Sequence, residues 1–136
     1  MNRKLQMGSR ILLGLMFFVF GLNGFLNFIP APPPTENVAA FFDGLMSTGY
    51  FFPFLKGTEV VCGALLLLGV MPALALVVLA PITIQIFLFH AVMTPGIQNL
   101  IMPVVIIALQ VNAARGYWSI YKPLFGRSGH PTSGLA

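Results

Sequence analysis

The chain has 136 residues, of which 57% are hydrophobic and only 7% are charged. A soluble domain carries roughly 25% charged residues, so a mainly water-facing surface is excluded. The net charge of +4 does not point to nucleic acid, because the basic residues sit at the ends of apolar runs and share no polar face.

A spanning helix needs about 20 residues, so four spans with short connections nearly use up the chain. The expected fold is all-α: a four-transmembrane-helix bundle with a short amphipathic interfacial helix between spans one and two. It forms a single membrane domain over residues 1–125. The one cysteine, Cys62, allows neither an intrachain disulfide nor a C-x-x-C dithiol and reads as a small packing residue.

Span one is expected over about 9–29. Arg3, Lys4 and Arg10 precede its apolar stretch, as in a secretion signal, but the stretch is too long for a signal core. It ends at Phe28-Ile29-Pro30-Ala31-Pro32, without the small-x-small pattern of a cleavage site. Gly14 and Gly21, with Gly24 near the same stripe, offer a face on which a neighbouring helix or a second copy of the chain can approach closely. Asn23 and Asn27 share a different stripe near the end of the span.

Pro30 to Pro34 cannot be helical. Thr35 then reads as an N-cap, with Glu36 in the first turn. Val38, Phe41, Phe42, Leu45 and Met46 follow with amphipathic spacing, giving a helix over about 35–48 that is too short to span. It lies in the interface or lids the bundle, and Gly49 stops it.

Span two is expected over about 51–71 and contains Lys56 and Glu59. Each such charge costs ~2.5–3.5 kcal/mol at the bilayer centre on insertion scales, less near the interface. The pair therefore needs mutual contact or a watery pocket, although Lys56 also has the reach to snorkel to headgroups. Span three, about 73–93, contains Pro81, which should kink it, then Gln85 and His90. Span four, about 97–114, opens with Gln98 and Asn99, carries a second kink at Pro103, and ends with Gln110 and Asn112. Tyr117, Trp118 and Tyr121, with Arg115 and Lys122, form an interfacial anchor. Residues 126–136 read as a disordered cytoplasmic tail.

Charge asymmetry sets the expected orientation. Lys and Arg cluster before span one and after span four, while the connection from Pro30 to Tyr50 has none. Four spans with both termini cytoplasmic satisfy this pattern, and the bacterial cytoplasmic (inner) membrane is the expected location. Lys56, Glu59, Gln85, His90, Asn23 and Asn27 then fall in the outer half, joined by Gln98 and Asn99. The first six are the expected ligand-binding residues, with Glu59 and His90 the best candidates for catalysis. No metal site is expected, since His130 is in the tail and no second His or Cys lies near His90. No Ser-His-Asp arrangement or phosphate-cradling loop is present.

Several segments resemble the small DoxX-type membrane proteins. They are Phe20 to Pro30 with the Pro-rich turn, Thr48-Gly49-Tyr50, Lys56-Gly57-Thr58-Glu59, Gly63 to Gly69, and Ala80-Pro81 followed by Gln85 and Phe89-His90. Gln85 departs modestly from the Asn common there. The resemblance implies a four-helix inner-membrane protein, some of whose relatives are subunits of thiosulfate:quinone oxidoreductase or partner redox enzymes.

Three readings of function stay open. The first is an accessory or redox-associated subunit that binds a quinone or other small amphiphile in its outer half. Glu59 would carry a proton or accept a hydrogen bond, and His90 and Gln85 would meet the headgroup. The chain has no redox centre of its own, so a membrane or redox partner subunit would supply electrons. The second is a non-enzymatic assembly subunit, in which the glycine stripe binds a partner helix. The third is a small transporter, for which no inverted repeat is visible.

Overall fold

The computed structural model describes residues 3–126. From residue 127 on, the expected tail lies outside the described residues, as do Arg127 and His130. Helix α1 spans Arg3–Leu26, α2 Glu36–Ser47, α3 Phe51–Leu68, α4 Pro72–Leu88 and α5 Ile97–Arg115. A π-helical turn, Phe89–Met93, extends α4, and a short α6, Trp118–Tyr121, follows α5. There is no strand among the described residues. The four segments Arg3–Leu26, Phe51–Leu68, Pro72–Met93 and Ile97–Arg115 are long and apolar enough to cross a membrane. Leu12, Leu15, Val61, Leu74, Val77, Ile84, Ile101 and Val104 are exposed along them, as lipid-facing side chains would be.

Local chemistry sets the helix ends. Asn27 adopts a left-handed φ of 51° and its N–H bonds Asn23 O, so α1 stops at Leu26, three residues before the expected end of span one. At the head of α2, Thr35 holds the extended N-cap position, but its hydroxyl bonds Asn37 Oδ1 at 2.5 Å and makes no cap. Thr48 Oγ1 instead accepts the Phe51 N–H at 3.0 Å and serves the start of α3. Gly69 closes α3 in the left-handed region (φ 72°) while Val70 N–H returns to Leu65 O, so α3 ends at Leu68, before the expected Met71. Pro72 opens α4, where its missing N–H is harmless.

The spanning helices alternate in direction and form a closed ring in the order α1, α3, α4, α5. The contact between α1 and α3 is the most extensive. Its cause is glycine. A Cβ at Gly63 would stand 2.5 Å from Phe18 N and 2.8 Å from Gly14 O. A Cβ at Gly14 would stand 2.8 Å from Leu66 Cβ, and one at Gly21 2.9 Å from Val60 N. The two backbones therefore touch with no side chain between them. The expected role of the Gly14/Gly21 stripe needs correction here. It is filled by α3 of the same chain and cannot present itself to a partner helix or a second copy.

The core gathers Leu13, Phe17, Cys62, Leu66, Ala75, Leu76, Leu79, Ile106 and Ala113 between the four helices. Cys62 is a buried packing residue in it. One buried polar clamp crosses the core. Thr83 Oγ1 donates to Gln110 Oε1, and Gln110 Nε2 donates to Leu76 O at 2.8 Å, pinning α4 to α5. Gln110 is thus buried between α4 and α5. Asn112 Nδ2 bonds Ser9 Oγ at 2.8 Å and ties α5 to the start of α1. Tyr121 donates its hydroxyl to Ala73 O at 2.6 Å, and burial, with Tyr117 nearby, holds that phenol above its ordinary range.

Gly63→Ala should destabilise the protein by about 1–3 kcal/mol, the cost of overpacking a tight contact. Gly57→Ala, where a Cβ meets nothing within 4 Å, should be neutral or slightly stabilising. Thermal unfolding of both variants in one detergent checks the contrast.

Candidate functional site

Packing is dense where α1 meets α3, and it opens at the α2 end. A cavity of about 610 Å³ lies there, walled by all four spanning segments and by α2. Most of its wall is apolar and aromatic, including Met16, Phe17, Phe20, Leu55, Ile82, Met102 and Ile106. Its polar wall residues are Asn23, Lys56, Glu59, Gln85 and His90. Five of the six residues singled out from the sequence thus line one space.

Glu59 lies in the third turn of α3 and is only 4% exposed. Its Oε1 is 3.5 Å from Lys56 Nζ, one helical turn earlier. The Lys56 head group also lies 5.8 Å from the centre of the Phe52 ring, close enough for cation–π attraction. Glycine explains how a lysine is held here. A Cβ at Gly24 would collide with Cγ, Cδ and Cε of Lys56. The lysine stem occupies the groove that Gly24 leaves on α1, and its ammonium reaches Glu59.

His90 stands in the π-helical turn. Its Nδ1 lies 2.8 Å from Ile86 O, a carbonyl that can only accept. The Nδ1 proton is thereby fixed, and Nε2 is the acceptor of the neutral ring. Phe89 and His90 pack edge-to-face with ring centres 5.2 Å apart. Phe89 also meets Phe41 at 5.3 Å and Phe42 at 5.7 Å. These rings, with Leu45, make α2 the roof of the cavity. Asn37 Nδ2 bonds Met93 O at 3.2 Å and fastens the start of the roof to the end of the π turn.

Two sequence expectations need correction. Asn27 is exposed and does not line the cavity, because the left-handed turn at that residue carries the chain away from α1. Asn23 does line it, but its Oδ1 accepts the Ile29 N–H at 2.8 Å and so closes the turn after α1. Gln98 and Asn99 are also outside. Asn99 Nδ2 bonds Thr94 O at 2.9 Å, and α5 contributes only apolar Met102 and Ile106 to the wall.

Sequence reasoning did not single out Thr83. A signal for Thr83 existed. It lies 13 residues before Gly96 and Gln110 lies 14 after it, so a helical hairpin turning at Gly96 sets them opposite each other.

The family comparison fits this architecture. The DoxX family profile matches residues 5–91, which covers α1 to the π turn and every polar residue of the cavity wall. The chain belongs to the DoxX family. No curated protein and no solved structure matches it. Within this DoxX protein, the matched segment ends just after His90, and α5 adds the apolar side of the cavity.

Removing one partner of the ion pair leaves a buried charge unanswered, whereas removing both does not. Lys56→Met should therefore lower stability by about 2–3 kcal/mol, and Lys56→Met with Glu59→Leu should recover most of the loss. Thermal unfolding of the two single variants and the double variant gives the coupling directly.

Proposed function

We propose that this DoxX protein is an accessory, redox-associated subunit of a bacterial inner membrane that holds a quinone or a similar small amphiphile in the cavity under α2. The observation that carries this reading is the shared wall of Lys56, Glu59, Gln85 and His90 around an otherwise apolar space of about 610 Å³. Small-molecule sites typically run from about 300 to 1,000 Å³, mostly apolar with a few convergent polar groups. A quinone head matches that chemistry. Its ring stacks against Phe side chains, and its two carbonyl oxygens accept hydrogen bonds.

The roles divide by protonation chemistry. Lys56 and the Gln85 amide are donors to a carbonyl oxygen. His90, with its proton held on Nδ1 by Ile86 O, takes up a proton at Nε2 and hands it on. Glu59 carries a proton in the same space, one helical turn from Lys56. Reduction of a quinone to a quinol consumes two electrons and two protons. The protons pass through these side chains, and a partner redox subunit supplies the electrons. Both termini lie on the cytoplasmic side in this reading, since Arg3, Lys4, Arg10, Arg115 and Lys122 gather at that end.

Titration of the purified protein with a short-chain quinone tests the proposal. Binding should saturate, and Glu59→Gln and His90→Ala should each weaken it by about tenfold. Equal affinity in all three proteins would remove both residues from the site. Purification in mild detergent should bring down a redox subunit with the chain.

A further inference from the structure

The end of the bundle that carries the termini holds a second, smaller cavity of about 130 Å³. Arg3, Gln6, Met7 and Arg10 of α1 wall one side, and Ala113, Gly116 and Tyr117 wall the other. It has room for a phosphate-sized group.

Arg10 is the informative residue. Its Nε is buried and has no hydrogen-bond partner among the described residues. The guanidinium makes one long bond, from Nη1 to Tyr117 Oη at 3.4 Å. It also lies against Gly69, the left-handed cap of α3, where the helix dipole favours a cation. That field offsets part of the cost of burial but gives Nε no acceptor.

The chain cannot supply one from an acidic side chain. It has three acidic residues, Glu36, Asp43 and Glu59. Glu36 and Asp43 belong to α2, at the opposite end of the bundle, and Glu59 is paired with Lys56. The basic end, with Arg3, Lys4, Arg10, Arg115 and Lys122, has no acidic side chain of its own.

We infer that this cavity binds the phosphate of an anionic phospholipid headgroup from the leaflet on the terminus side. The guanidinium of Arg10 presents a planar fork of donors matched to phosphate oxygens. The Tyr117 hydroxyl and the Gln6 amide complete a donor-rich wall, and Arg3 adds charge at the same wall. Trp118, exposed one residue beyond Tyr117, belongs to the residue class that settles at headgroup level. Basic pockets between spanning helices are known to take anionic headgroups. The bound lipid would bridge α1 to the turn after α5 at that end.

Native mass spectrometry of the full chain, released from nanodiscs of mixed phosphatidylglycerol and phosphatidylcholine, tests this. The protein should retain phosphatidylglycerol in preference to phosphatidylcholine. Arg10→Gln should weaken that retention by about tenfold, and Tyr117→Phe by about threefold. Tyr117→Phe keeps every charge and carries the test if Arg10→Gln does not fold. Arg115→Gln, exposed at the same end, should change retention by less than about twofold. Unchanged retention in Arg10→Gln and Tyr117→Phe would overturn the site. Equal loss in Arg115→Gln would overturn it too, because the attraction would then be diffuse surface charge. Displacement of the lipid by excess inorganic phosphate would assign the cavity to free phosphate and overturn the lipid assignment.

Discussion

The backbone contact between α1 and α3 governs the rest of the structure. Gly14, Gly21 and Gly63 let the two helices touch without intervening side chains. In a membrane, lipid tails solvate apolar side chains as well as protein does, so close packing has to supply what the hydrophobic effect cannot. One tight seam follows, with α4 and α5 closing the ring against it. At its upper end the same seam seats Lys56. Gly24 leaves the groove for the lysine stem, and the groove points the ammonium at Glu59. The placing of Lys56 on the cavity wall is thus a consequence of the glycine contact.

The two ends of the bundle handle polar groups in opposite ways. At the α2 end, the buried acid has a cation one turn away, the imidazole proton is fixed by a main-chain carbonyl, and a roof of phenyl rings covers them. At the terminus end an arginine nitrogen is buried without an acceptor among the described residues. Between them, Thr83 and Gln110 satisfy each other and a carbonyl inside the core. This middle clamp is structural: it links α4 to α5 and borders neither cavity. The molecule therefore separates a self-paired polar pocket from an anion-seeking one by a layer of packed aliphatic side chains.

Much of the candidate site was legible from the sequence because charges inside spans are costly and so carry information. Lys56, Glu59, Gln85 and His90 each stood out within an apolar run, and they do line one space. Residues near helix ends were harder to read. Asn27, Gln98 and Asn99 stand at helix ends, where position along the helix does not say which way a side chain faces, and local turns took them elsewhere. The Gly14/Gly21 stripe announced a close helix contact correctly. Its partner could not be read, because a stripe of small residues suits a neighbour from the same chain or from another equally well. The Thr83–Gln110 clamp escaped because threonine is common in spans and signals little until the hairpin register is drawn.

The sequence by itself determined the DoxX-type plan: four apolar helices, a short amphipathic helix after the first, and basic residues at the terminus end. These follow from local quantities, namely apolar run length, helical period, proline and glycine positions, and charge. Only the tertiary structure decided that α1 spends its glycines on α3, that α2 roofs a cavity with phenyl rings, and that the Nε of Arg10 is buried without a hydrogen-bond partner among the described residues. Those outcomes depend on how each helix is rotated about its own axis. That rotation is set by contacts between residues far apart in the chain, which no local pattern encodes.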